Sequence, residues 1–176
     1  MSDVNAAKNY GVRILSLNGG GARGMFTISV LAEIERILAL RHPDREIKIG
    51  EFFDLITGTS IGGILSLCLA TCKSARELER VFFEKANDIF PARWGFANLL
   101  KSLVAPIYSS APLRETVETM IGAGTTFNDL TRRVMIPAVN LSTGKPQFFK
   151  TPHKPDFTRD GGLKQIDAEL ATSAAP

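Results

Sequence analysis

A serine framed by glycines is the first place in this sequence where chemistry can be located. Gly58-Thr59-Ser60-Ile61-Gly62 follows the apolar run Phe52-Phe53-Asp54-Leu55-Ile56-Thr57. It reads G-x-S-x-G, the pattern of a nucleophile elbow, in which the serine sits on a tight turn between a strand and a helix. Glycine on either side permits backbone contacts that a side chain would block. About forty residues earlier a second glycine-rich turn, Gly19-Gly20-Gly21-Ala22-Arg23-Gly24, follows Val12-Arg13-Ile14-Leu15-Ser16-Leu17. Successive glycines at a helix start can aim several N–H groups at one point, as an oxyanion hole requires. Arg23 sets a cation beside them. In this order, the two turns predict a serine acyl hydrolase with Ser60 as nucleophile.

A proton acceptor is harder to find. The chain has two histidines. His42 ends a predicted helix and reads as a capping or surface residue. His153 lies in a proline-rich loop and reads as a solvated side chain. A Ser–Asp dyad needs no histidine, and the visible candidate is Asp160 in Asp160-Gly161-Gly162, which reads equally as a plain Asp-Gly turn. The first glycine turn also has a rival reading. Gly19, Gly21 and Gly24 satisfy G-x-G-x-x-G, the dinucleotide fingerprint, which expects an acidic residue at the end of the next strand. The turn bearing Ser60 stands there instead, so a dinucleotide-binding module remains the alternative.

The elements that must hold these turns follow from hydrophobic periodicity. Residues 12–17 and 52–57 read as buried strands. Residues 24–40 read as a helix with Phe26, Val30, Ile34, Ile37 and Leu38 inward and Glu33, Glu35 and Arg36 mostly outward. Residues 61–72 are apolar nearly all round, which predicts a central helix. Ser74 has the position of an N-cap, with Glu77 at capping-box spacing, for a helix reaching about Phe90 before Pro91. Residues 93–108, with Trp94 and Phe96, are apolar and irregular; they read as core, membrane-docking or acyl-channel residues. A helix over 112–121 ends at Gly122. Strands over 134–141 and 147–151 flank a hairpin-like turn. A short helix is expected over 163–171. Alternating strands and helices predict an α/β fold: a mostly parallel sheet flanked by helices on both faces. One domain, residues 12–176, follows a flexible polar stretch, 1–11.

Composition bounds the function. The 176 residues are 44% hydrophobic and 22% charged, as expected of a globular domain with a real core. A net charge of +3, without any lysine/arginine block, is too weak to argue for a nucleic-acid polymer as partner, yet would not repel an anionic membrane. Cys68 and Cys72 lie on one face of the predicted helix 61–72. They read as buried, reduced thiols, which fits a cytoplasmic setting. Residues 1–11 lack the apolar core of a secretory signal.

The motifs resemble those of the patatin-like phospholipase family over about residues 12–176. They are the Gly19–Gly24 turn, Phe53-Asp54-Leu55-Ile56 before Gly58-Thr59-Ser60-Ile61-Gly62-Gly63, and Ala171-Thr172-Ser173-Ala174-Ala175-Pro176. The resemblance implies a phospholipase A-type esterase working by a Ser–Asp dyad, without histidine, metal or cofactor. Ser60 would attack the acyl carbonyl of a phospholipid or other acyl-ester lipid. Amides around Gly20 and Gly21 would hold the oxyanion, and Arg23 would fix their loop. A peripheral position at the membrane would follow from such a substrate. In the family the catalytic Asp-Gly-Gly/Ala follows the Ala-Thr-Ser-Ala-Ala-Pro segment, whereas Asp160-Gly161-Gly162 precedes it. Asp160 is therefore expected to be a decoy, with the base lying beyond residue 176 of an incomplete domain. A catalytically inactive lipid- or partner-binding fragment is the alternative. Some bacterial members act as toxins or nucleotide-activated defence effectors, and head-group preference and oligomeric state are not encoded in these motifs.

Overall fold

The computed structural model describes residues 11–85, 110–122 and 124–173. The expectations for residues 86–109, including the apolar stretch 93–108, and for residues 1–10 lie outside the described residues.

Four strands form one sheet in the order β1 (Ile14–Leu17), β2 (Leu55–Gly58), β3 (Arg133–Asn140) and β4 (Lys145–Lys150). β1, β2 and β3 run parallel, and β4 returns antiparallel to β3. The return is tight because Asn140 Oδ1 accepts the amides of Ser142 and Thr143 at 3.0 and 3.2 Å, and Gly144 takes a positive φ of 65°. The parallel neighbours are linked by helical crossovers: α1 (Arg23–Arg41) joins β1 to β2, and α2 (Ile61–Ala70), α3 (Ala75–Glu84) and α4 (Ser110–Ile121) lie between β2 and β3. α5 (Gln165–Ser173) follows β4. A single turn of 3₁₀ helix, Ile49–Phe52, precedes β2 and takes the start of the apolar run that predicted a strand from residue 52.

The two first strands are less buried than their composition predicts. Pairing puts Leu17 opposite Gly58 and Ile56 opposite Val134, so one face of the sheet carries Leu15, Leu17, Ile56, Val134 and Ile136. That face meets α2, every residue of which is buried. The alternate residues point the other way: Ile14 is 57% exposed, Val139 64% and Phe148 43%. Among the described residues β1 is an edge strand with only Leu17 buried, and β2 alternates. A continuous apolar run therefore does not report two-sided burial here.

α1 exposes the face that its periodicity assigns to the core. Gly24, Ile28, Leu31, Ala32 and Glu35 are buried, whereas Phe26 is 75% exposed and Val30, Ile34 and Ile37 are exposed as well. The helix is apolar on two sides, and two tertiary contacts choose between them. A side chain at Gly24 would come within 2.5 Å of Ile61 Cγ1, so α1 and α2 touch there. On the same side, Glu35 carries most of the polar bonding between α1 and α3. Its carboxylate accepts the Ser74 hydroxyl, the Ala75 amide at 3.0 Å, the Ile49 amide at 2.9 Å and the Arg76 amide at 3.4 Å. Burial pushes this carboxyl up, and those hydrogen bonds outweigh burial, so it lies below its ordinary value. Ser74 stands at the N-cap of α3 without capping it; its hydroxyl donates to Glu35 instead of accepting a backbone amide, and Glu35 satisfies the free N–H groups of that helix end.

Cys68 is fully buried, and burial pushes its thiol well up. Cys72 lies beyond the end of α2 at φ 61°, half-buried, with Sγ 3.0 Å from Thr131 Oγ1. The expectation of two buried thiols on one helical face holds for Cys68 alone. On α5, Glu169 is 1% exposed and neither carboxyl oxygen has a hydrogen-bond partner among the described residues. Burial pushes that carboxyl well above the carboxylate range.

Candidate active site

Both glycine turns sit at the carboxyl ends of adjacent parallel strands, the end of an open α/β sheet where ligands bind. Ser60 joins β2 to α2 at φ 53°, ψ −129°, outside the regions favoured by L-residues. Its turn is enforced backbone to backbone. A Cβ at Gly58 would lie 2.3 Å from the Gly62 carbonyl oxygen, and a Cβ at Gly62 would lie 2.2 Å from the Leu17 carbonyl oxygen. Only glycine fits either place. α2 then begins at once: the Gly63 and Ile64 amides donate to the Ser60 carbonyl at 2.7 and 3.1 Å.

The first glycine turn lies against this serine. A Cβ at Gly19 would stand 3.2 Å from Ser60 Cβ and 3.0 Å from the Thr59 carbonyl oxygen. The Gly19 amide donates to Thr59 Oγ1 at 3.1 Å, tying one turn to the other. Gly20 and Gly21 have φ values of 136° and 56°, which glycine tolerates. Beyond them the chain enters α1, with Arg23, Gly24 and Met25 amides bonded back to Gly20, Gly21 and Ala22 carbonyls.

What remains unpaired defines the chemistry. Among the described residues the Ser60 hydroxyl makes no hydrogen bond, nor do the amides of Gly20, Gly21, Ala22 and Ile61. The N-termini of α1 and α2 converge here, and neither first turn contains an acidic residue. Their partial positive charge is not neutralised, and exposed Arg23 adds to it. A half-buried hydroxyl, free amide donors in the adjoining turn and a positive field are among the things that stabilisation of an acyl oxyanion requires.

The other candidates are elsewhere. Asp160 is buried, and its carboxylate accepts Arg159 Nε at 2.6 Å and the Lys150 amide at 3.1 Å. Burial raises this carboxyl, but the Arg159 and Lys150 bonds outweigh it and hold it below its ordinary value. Lys150 pairs with Met135, which pairs with Thr57, so Asp160 is at least two strand spacings, about 10 Å, from the elbow. Gly161 closes the same turn, where a Cβ would meet Asn128 Oδ1 at 2.5 Å. A hollow of about 320 Å³ lined by Phe148, Lys150, Phe157, Arg159 and Asp160 lies beside β4 rather than at Ser60. His153 stacks on Phe157 at 4.7 Å. His42 caps the far end of α1, about 28 Å of helix from the glycine turn. Neither histidine reaches Ser60. Among the described residues no helix is long and apolar enough to cross a membrane.

Sequence reasoning named Thr172 within a motif without giving it work. In the structure its hydroxyl accepts the Ser60 amide at 3.2 Å and donates to the Pro137 carbonyl at 2.6 Å.

The chain was compared with known proteins. The family model described as patatin-like phospholipase matches residues 15–176. A cGAMP-activated phospholipase of Escherichia coli (strain TW11681) is 78% identical over 176 residues, covering 100% of this chain and 49% of that protein. One of Vibrio cholerae serotype O1 is 61% identical over 171 residues, covering 94% of this chain and 48% of that protein. The chain thus spans about half the length of the curated relatives it matches. Among solved structures, ExoU in its heterodimeric complex with SpcU from Pseudomonas aeruginosa aligns with a TM-score of 0.50 at 21% identity, over 94% of this chain and 36% of that one. That likeness concerns the fold. The family match extends from β1 through both glycine turns to the end of the sequence, and on it the chain belongs to the patatin-like phospholipase family.

Proposed function

We propose that this chain carries the nucleophile and oxyanion hole of a phospholipase that hydrolyses fatty-acyl esters of membrane phospholipids. The observation that carries the reading is Ser60: a strained turn leaves its hydroxyl unbonded among the described residues, and the glycine turn tied to it through the Gly19 amide leaves the Gly20 and Gly21 amides unbonded as well. A base removes the Ser60 proton as Oγ attacks the acyl carbon. The carbonyl π electrons move onto oxygen, and the amides of Gly20, Gly21 and Ile61 are the donors available to that oxyanion. Collapse expels the lysophospholipid alkoxide, which takes the proton, and leaves an acyl-serine. Water then repeats the sequence and releases the fatty acid. Asp160, bound to Arg159 and two strands away from the elbow, does not serve as that base, which leaves the role to another group. The names of the two bacterial relatives support activation of the full-length protein by cGAMP.

The test is fluorophosphonate labelling and fatty-acid release from phospholipid vesicles by the full-length protein, with and without cGAMP, beside Ser60→Ala. Loss of labelling and release in Ser60→Ala is expected. Vesicle binding without Ser60-dependent labelling would replace this reading with that of an inactive lipid-binding protein.

A further inference from the structure

We infer that Thr172 is a positioning residue, a hydroxyl clamp that holds the strained nucleophile turn in its reactive shape. The inference rests on the reading of Ser60 as nucleophile.

Ser60 is the N-cap of α2, so its amide has no helical partner. The partner comes from 112 residues away: the Ser60 N–H donates to Thr172 Oγ1 at 3.2 Å. The direction of that bond is fixed. A threonine has one hydroxyl proton, and at 2.6 Å it goes to the Pro137 carbonyl on β3, so Oγ1 presents a lone pair to Ser60. The clamp thereby ties the elbow to the third strand through the last turn of α5. Its methyl is also seated: a Cβ at Gly63 would lie 2.9 Å from Thr172 Cγ2. The methyl thus packs closely on Gly63, in the first turn of α2.

Rotation of the Thr59–Ser60 peptide is the relaxation open to a residue held at φ 53°, ψ −129°. That rotation would turn the Ser60 amide away from Thr172 and reorient the serine that it carries. Thr172 opposes it by making the strained orientation the hydrogen-bonded one. A group acting this way affects reactivity of the serine more than substrate binding, because misplacement of a nucleophile by about 1 Å costs roughly a hundredfold in rate.

The experiment uses the full-length protein and three variants. Thr172→Val keeps the branched shape and removes the hydroxyl. Thr172→Ser keeps the hydroxyl and removes the methyl. Ser60→Ala reports whether labelling depends on Ser60 at all. Fluorophosphonate labelling gives an endpoint, which counts competent molecules, and a rate constant, which reports alignment. For Thr172→Val the rate constant and kcat should fall by about 10- to 100-fold with KM unchanged, whereas Thr172→Ser should stay within about threefold of wild type. Equal rate constants for Thr172→Val and wild type would overturn the inference, as would Thr172→Ser falling as far as Thr172→Val. If Thr172→Val does not fold, Thr172→Cys, a weaker acceptor of similar size, takes its place; a rate equal to that of Thr172→Ser overturns the inference. Labelling that persists in Ser60→Ala would defeat the underlying reading instead, separately from the clamp.

Discussion

Ser60 and Asp160 are two polar residues in glycine-bearing turns on the same sheet, and their surroundings are opposite. Around Ser60 the polar groups are left unspent: a hydroxyl and four amides have no partner among the described residues, and the backbone is strained to hold them so. Around Asp160 the carboxylate and two neighbouring carbonyls are spent. The carboxylate is taken by Arg159 and the Lys150 amide, the Asp160 carbonyl accepts the Leu163 amide at 3.0 Å, and the Gly161 carbonyl accepts the Asn128 amide at 3.0 Å. The turn at Ser60 withholds donors from the fold, and the turn at Asp160 commits its carboxylate and carbonyls to it. The contrast separates two motifs that look alike as strings of residues.

Exchanging the two side chains should show the largest difference. Ser60→Ala should cost the full-length protein roughly three orders of magnitude or more in fatty-acid release. Asp160→Asn should leave the rate within about threefold while lowering the melting temperature, since it removes an ion pair and nothing at the elbow. A collapse of activity in folded Asp160→Asn would erase the distinction.

The glycines sharpen the same comparison in stability. Gly58→Ala drives a Cβ to 2.3 Å from the Gly62 carbonyl oxygen and should destabilise by about 3 kcal/mol or more, read from urea unfolding. Gly162, with nothing within 4 Å of an added Cβ, should accept alanine at a cost below about 0.5 kcal/mol.

Two buried carboxylates repeat the pattern, with Glu35 bonded to Ser74 and three backbone amides and Glu169 without a partner among the described residues. Glu35 lies below its ordinary value in the folded protein. Its contribution is complete above the unfolded carboxylate pKa of about 4.3 and disappears as pH falls through the folded value. Glu35→Ala should therefore cost about 3 kcal/mol at pH 7, where its amide partners are stranded, and flatten the acid limb of the stability profile. Glu169 is shifted upward. Its contribution is complete below about 4.3 and is lost as pH rises toward the folded value. Glu169→Gln should raise the melting temperature at pH 8 and leave it nearly unchanged at pH 4. That is the smallest of these effects, and the same rise at both pH values would break the assignment.

What the sequence made legible was local. The two glycine turns could be read because a close backbone approach leaves a signature at the residue that permits it, as at Gly58 and Gly62. The helix over Arg23–Arg41, the hairpin and the short final helix were legible from periodicity and turn residues, which are local signals too. The parts that misled depend on partners far along the chain. Nothing near Ser74 says that Glu35 takes the capping role, because the two are 39 residues apart. The inward face of α1 could not be chosen by periodicity, since both sides are apolar and the choice is made by Ile61 against Gly24. β1 looked buried because its alternate residue, Ile14, is apolar although it faces outward. Thr172 was visible as a motif member, but its bond to Ser60 crosses 112 residues.

The contact of Gly58 with Gly62, and of Gly62 with Leu17, has a consequence for how such a protein can diversify. The floor beneath Ser60 is built from main chain, so it offers almost no side chain to vary, and a mutation that lands there is lost with the fold. On the proposed function, change in acyl preference would enter from the rim, at positions such as Ala22, which is exposed. A library aimed at new esters should leave the floor untouched and spend its diversity on that margin.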